Sequence, residues 1–404
     1  MGIAEDLGFS TERLARLDAV LHGYVDDGSL PGVQTVISRR GQVVHHDCYG
    51  SADLEAGRDV QADTIYRIYS MTKPVTSVAL MMLFEEGRFL LSDPISRWLP
   101  EFAEMEVWVG GSANAPETRP LTTPITVHHV LTHTAGLTYG FQYKHPVDHL
   151  YRNLHLGDFT PETYDLSEGM ELLASVPLQF EPGTQWNYSM ATDVCGALVE
   201  RISGLTLDEF FRTRIFEPLG MVDTGFAARE SEVDRCSTLY VNLPGMEAKA
   251  ALAPPESMTQ VPTFLSGGGG LVSTSSDYLR FAHLLLGGGE LDGVRLLSPR
   301  TLRMMTLNHL PDGKTLNDMG QTTFSEVGMA GTGFGLGFSV LVDQAANRAM
   351  ASPGLYSWGG AASTFFWVDP VDEVVVVFMT QLLPSDRYPL RPHLQNGVYQ
   401  ALIG

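Results

Sequence analysis

Ser70 and Lys73 stand three residues apart in Ser70-Met71-Thr72-Lys73, at the opening of a long amphipathic stretch. In the first turn of a helix this spacing puts the two side chains about 60° apart on one face. Ser70 then lies where unpaired backbone N–H groups and the positive helix end favour a developing anion. Lys73 stands within reach of its hydroxyl. That is the geometry of a serine acyl-transfer enzyme that uses no histidine base. Pro74 agrees with it, since proline is tolerated in an opening turn. Of the four lysines, Lys73, Lys144, Lys249 and Lys314, Lys73 alone has a serine three positions before it.

Such a pair needs a group to pass the proton and donors for the oxyanion. Trp186-Asn187-Tyr188-Ser189-Met190 offers a phenol, after a tight turn at Glu181-Pro182-Gly183. A phenol is a poor base at its reference pKa of about 10. Beside an ammonium its ionised form is favoured, and it can act as base and then as acid. Ser357-Trp358-Gly359-Gly360-Ala361 is the third element. Its small residues let a strand edge come close to a substrate and lend a backbone N–H.

With these residues the chain resembles the serine β-lactamase/penicillin-binding-protein superfamily, its class C branch, and within it the family VIII carboxylesterases. Ser70-Met71-Thr72-Lys73, Tyr188-Ser189-Met190 and Trp358-Gly359-Gly360 carry the likeness, in the right order and spacing. Leu131-Thr132-His133-Thr134-Ala135-Gly136-Leu137 and the run Gly267 to Thr274 also resemble recurrent segments of that group. The resemblance implies Ser70 as nucleophile, Lys73 as its activating partner and Tyr188 as general base. It also implies an oxyanion hole from the N–H groups of Ser70 and Ala361. Class C lactamases carry asparagine where this chain has Met190, and lysine where it has Trp358. Those lost groups hold a β-lactam's amide and carboxylate, so the pattern is similar to that of the esterases.

The expected activity is hydrolysis of short-chain carboxylic esters through an acyl-enzyme, with no metal and no cofactor. The expected partner is a small-molecule ester. One rival is β-lactam or D-amino-acid amide hydrolysis, or acyl transfer, on the same site. Another is a non-catalytic penicillin-binding-like module. Trp358, Gly359, Gly360 and Met190 are expected to bind substrate. Tyr139, Phe141 and Tyr143 either wall the acyl pocket or pack a loop. His133 reads as structural, because no Gly-x-Ser-x-Gly elbow accompanies it. His45-His46 and His128-His129 lack metal-ligand spacing, and Gly267 to Gly270 is no phosphate loop, since no Lys-Ser/Thr pair follows.

Several elements must position these groups. Residues 4–25 read as one amphipathic helix with Leu14, Leu17, Val20, Leu21 and Tyr24 on a stripe. Gln34 to Ser38 and Val43 to Cys48 read as a hairpin around Arg39-Arg40-Gly41. The helix of the Ser/Lys pair covers about 70–87. Gly335 to Val342, Thr364 to Val368 and Val374 to Met379 read as strands, and 391–403 as a closing helix. Strands at both ends around a helical middle imply an α+β fold. One antiparallel sheet built from both termini is flanked by helices and carries an inserted, mostly helical domain. The sheet domain takes 1–89 and 261–404, the insertion 90–260. The resemblance makes this fold β-lactamase-like.

The bulk properties agree. A chain of 404 residues, 44% apolar and 18% charged, can bury a large core. A formal charge of -21 argues against nucleic acid, which demands clustered Lys and Arg. Three scattered cysteines, Cys48, Cys195 and Cys236, suit reduced thiols. Glu5, Asp6, Glu12 and Arg13 interrupt what a secretory signal would need, and no apolar run is long enough to cross a bilayer. A soluble, cytoplasmic protein with no membrane partner is expected; the residues leave its oligomeric state open.

Overall fold

The computed structural model describes residues 2–159, 162–246, 248–320 and 328–404. Five helices organise it: α1 (Thr11–Asp26), α2 (Thr72–Glu85), α3 (Ala191–Ser203), α4 (Ser275–Leu286) and α5 (Leu390–Ala401). The helix expected over 4–25 is two helices. A short turn at Ile3–Asp6 ends before Gly8, which takes φ +78°, and Ser10 caps α1 afresh by accepting from the Arg13 N–H. Leu14, Leu17 and Leu21 form its buried stripe, whereas Val20 is exposed.

The strands are β1 (Gly32–Arg39), β2 (Gln42–Asp53), β3 (Arg58–Asp59), β4 (Thr332–Phe334), β5 (Ser339–Leu341), β6 (Tyr356–Gly359), β7 (Phe365–Asp369) and β8 (Val374–Met379). They form one antiparallel sheet in the order β4-β5-β6-β7-β8-β1-β2-β3. Early and late parts of the chain meet at β1 and β8, where Val36 lies opposite Val377. β1 and β2 turn on Arg40 and Gly41, both at positive φ, which matches the twist of a two-residue hairpin. The strand expected at Gly335 to Val342 is interrupted. Gly337, at φ +93°, backs so closely onto α2 that any side chain there would run into Ser77, and the chain turns instead.

Both faces of the sheet are covered, so β8 is apolar throughout. Val374, Val376 and Phe378 meet Leu17 and Leu21 of α1 and Leu394 and Val398 of α5 in one core. Val375, Val377 and Met379 join the other core, with Tyr278 and Phe281 of α4. α2 runs through that second core, and every residue from Thr72 to Leu83 is buried. The amphipathic stripe expected there does not exist; a helix enclosed on all sides has no wet face to pattern.

The middle segment 90–260 carries more β structure than expected. Glu106–Ser112 pairs with Ala115–Pro120, and Leu239–Val241 with Ala250–Ala253. Leu239–Val241 also pairs with Leu382–Leu383, which ties the segment back to the end of the sheet. Pro116 and Pro120 read as strand breakers, yet on a two-stranded ribbon one edge needs no N–H donors.

Leu21→Ala opens a hole between α1 and the sheet, in a core separate from the one α2 runs through, and should cost about 2–5 kcal/mol. A lower urea midpoint is expected. An unchanged midpoint contradicts this packing.

Candidate active site

Ser70 lies in the middle of a 3-10 turn, Tyr69–Met71, that leads straight into α2. Tyr69 takes φ +43°, a left-handed backbone that costs a non-glycine residue on the order of 1–2 kcal/mol. Packing holds it there: Tyr69 lies against a small cluster of Leu239, Ala361, Ala362 and Leu383. The turn aims the Ser70 hydroxyl into a cavity of about 390 Å³.

α2 grips the glycine run by three side chains of its first two turns. Thr72 Oγ1 accepts from the Leu271 N–H at 3.1 Å, and Thr76 Oγ1 donates to the Gly267 carbonyl at 2.7 Å. Between them Lys73 Nζ donates to the Gly268 carbonyl at 2.6 Å and to Ser70 Oγ at 3.1 Å. Lys73 is 2% exposed. The glycines are required by proximity: a Cβ on Gly268 would sit 2.6 Å from Asp193, and one on Gly267 2.8 Å from the Thr192 carbonyl.

Tyr188 arrives on an extended segment that the Leu131–Leu137 region frames by backbone pairing. The N–H groups of Gly183, Asn187 and Met190 donate to the carbonyls of Thr134, His133 and Thr138. Buried Asn187 adds bonds to the Leu137 carbonyl and to Gln179. So held, the phenol oxygen lies 2.6 Å from Ser70 Oγ, and Lys73 Nζ is 4.7 Å from the phenol ring centre. Residues 70, 73 and 188 therefore converge on one hydroxyl.

The cavity wall includes Ser70, Tyr188, Met190, Tyr139, Phe141 and Ala361. Tyr139 and Phe141 stack, with ring centres 4.7 Å apart. Tyr143, expected beside them, is exposed instead. Trp358, Gly359 and Gly360 do not reach the wall, which corrects the expectation for that motif. Trp358 is fully buried behind Tyr188, 5.4 Å between ring centres, because its register on β6 turns it into the core. Gly360 makes a close approach, but to the Ile68 carbonyl and Thr364 rather than to a ligand. That contact draws the end of β6 onto the Ser70 turn and leaves Ala361 beside Ser70.

His133 is sealed in. Burial first, and the Lys73 ammonium second, hold it well below the ordinary imidazole range, so it stays neutral. Its Nδ1 pairs with Ser189 Oγ at 3.1 Å, and its ring packs edge-on against Tyr188. Among the described residues no group of three or more His, Cys, Asp or Glu could hold a metal. No helix among them is long and apolar enough to cross a membrane.

Sequence reasoning missed the charged part of the wall: Arg67, Asp158, Glu162 and Asp193. Burial raises Glu162 to about 7, with a further push from the negative charges of Asp193 and Asp158. An acid in an otherwise apolar helix, Ala191-Thr192-Asp193-Val194-Cys195, was the available signal for Asp193. Glu162 sits in a polar loop and carried none.

An enclosed serine between an ammonium and a phenol, on a helix beside an antiparallel sheet, defines a class that comparison with known proteins makes specific. The family model described as Beta-lactamase matches residues 17–399, and the chain belongs to that family. Its fold is β-lactamase-like. It is 36% identical to protein Rv1367c of Mycobacterium tuberculosis, over 89% of this chain and 88% of that one. It is 32% identical to esterase EstB of Burkholderia gladioli, over 95% of each. Among solved structures, EstCE1, described as a hydrolase with promiscuous acyltransferase activity, superposes with a TM-score of 0.79 at 29% identity. That match covers 96% of this chain and 99% of the other.

A raised Glu162 binds its proton more tightly, so the wall gains a negative charge only as pH climbs through about 7. The KM for a cationic ester should fall across that range while that for a neutral ester stays level. Glu162→Gln should flatten the difference; a difference that survives the substitution places the titrating group elsewhere.

Proposed function

We propose that this protein is a carboxylesterase that cleaves short-chain esters through an acyl-enzyme on Ser70. The observation that carries the reading is the convergence of Lys73 Nζ and the Tyr188 phenol on Ser70 Oγ, at 3.1 and 2.6 Å, at the wall of one cavity. Tyr188, its ionised form favoured by the Lys73 ammonium, takes the Ser70 proton as Oγ attacks the ester carbonyl. The N–H groups of Ser70 and Ala361 receive the oxyanion. Tyr188 then returns the proton to the leaving alcohol. Water, deprotonated the same way, releases the acid and regenerates the hydroxyl.

The choice of ester is supported by the wall. Tyr139, Phe141, Met190 and Phe264 offer apolar contact to a neutral acyl chain. The buried Trp358 supplies no cation for a β-lactam carboxylate. The similarity to esterase EstB and to the hydrolase EstCE1 points the same way. Acyl transfer to an alcohol is the second reading, favoured by the acyltransferase activity that the EstCE1 description names. It differs only in what meets the acyl-enzyme. The intact contact of Ser70 with Lys73 and Tyr188 speaks against a non-catalytic module. A soluble, cytoplasmic enzyme is the setting we propose for it.

Ser70→Ala should lower turnover of p-nitrophenyl butyrate by roughly 10⁴-fold or more, and Tyr188→Phe by about 10²-fold or more. A butyrate ester should outrun a chromogenic cephalosporin with the unaltered protein. Near-normal butyrate turnover by Ser70→Ala sinks the mechanism, and a faster cephalosporin sinks the substrate class.

A further inference from the structure

Asp193 is 2% exposed and lies on the first turn of α3, beneath the glycine run. One oxygen, Oδ1, accepts from Ser266 Oγ at 2.6 Å and from the Gly268 N–H at 2.9 Å. Two donors on one oxygen favour the ionised form of the acid. Gly268 is also the residue whose carbonyl receives Lys73. The acid and the ammonium thus fix the same residue from opposite sides, and both are out of water.

We propose that Asp193 is a positioning residue for ester hydrolysis, the counter-charge that keeps Lys73 an ammonium at the correct distance from Ser70 and Tyr188. The inference rests on the serine–lysine–tyrosine mechanism above. A buried ammonium without an opposing charge is costly and tends to shed its proton. If Lys73 were neutral, Tyr188 would lose the cation that favours its phenolate. Asp193 therefore decides that the phenol, rather than the amine, serves as the base.

The surroundings agree with this division. Facing Lys73 are the rings of Tyr188 and Tyr139, the neutral His133 and the Asp193 charge. Of these groups Asp193 is the carboxylate. Facing Asp193 are Lys73 and, from the cavity side, Glu162 and Tyr164, with Cys195 on its own helix. Burial pushes the Asp193 carboxyl up, and Lys73 is the largest influence pulling it back.

Asp193→Asn keeps the volume and the acceptor oxygen that meets Ser266 and Gly268, removes the charge, and puts an amide NH₂ in place of the second oxygen. Its kcat on p-nitrophenyl butyrate should fall by about 10²-fold with little change in KM, and the basic limb of kcat/KM should move to lower pH by about one unit or more. Ser266→Ala, which loosens the loop but leaves the charge, should keep that limb in place. A limb that Asp193→Asn leaves at its original pH overturns the proposal, whatever happens to kcat. A second readout needs no catalysis. Lys73→Met strands the carboxylate and should lower the melting temperature, and adding Asp193→Asn should restore part of the loss. A double variant that melts no higher than Lys73→Met overturns the proposal, even if Asp193→Asn alone does not fold. Full activity of Ser70→Ala, by contrast, would remove the underlying mechanism and leave the charge pairing to stand on the melting data.

Discussion

A lysine ammonium taken almost wholly out of water is the constraint around which this molecule is arranged. Lys73 is 2% exposed, and its donors reach the Gly268 carbonyl and the Ser70 hydroxyl. Burying such a charge is unfavourable unless its donors are met and an opposite charge is near. The Gly267–Gly270 run, the phenol rings of Tyr139 and Tyr188 and the Asp193 carboxylate answer that demand together. The same enclosure makes the ammonium effective, because its field on Ser70 and Tyr188 is not screened by solvent.

The fold delivers these groups from four separate stretches. The 3-10 turn sets Ser70 at the head of α2, and α2 carries Lys73 through the core and so buries the ammonium that it presents. The segment before α3 brings Tyr188, braced by backbone pairing to residues 133–138. The glycine run closes against Thr72 and Thr76, where side chains would collide with α3 and Phe226. The chain just past β6 meets the Ile68 carbonyl through Gly360, and Ala361 is set beside Ser70. Each contact is a close approach of backbone, so a shift in one element moves the reacting atoms.

Much of this was legible in the residues. The three-residue spacing of Ser70 and Lys73 states a helical geometry directly, and the strands of the last third are written as dense β-branched runs such as Val374 to Met379. The hairpin at Arg40-Gly41 follows from its turn chemistry. Tyr188 was offered as a phenol after the turn at Glu181-Pro182-Gly183 and singled out by motif resemblance, since one tyrosine among fourteen carries no spacing signal of its own. Trp358 misled because an aromatic at the end of a strand can face either way, and one residue of register decides between pocket and core. The hairpin Glu106 to Pro120 was hidden by its prolines and by Gly110-Gly111. Glu162 acquires its character from burial and from the neighbouring charges of Asp193 and Asp158, which no local pattern announces.

The central claim is that Ser70 is the nucleophile because Lys73 and Tyr188 meet its hydroxyl. It is tested most directly by treating the protein with a fluorophosphonate and mapping the adduct by peptide mass spectrometry. The account predicts one adduct per chain, on Ser70, with activity lost in step with labelling. Loss of activity with the adduct on another residue, or with Ser70 left unmodified, would contradict it.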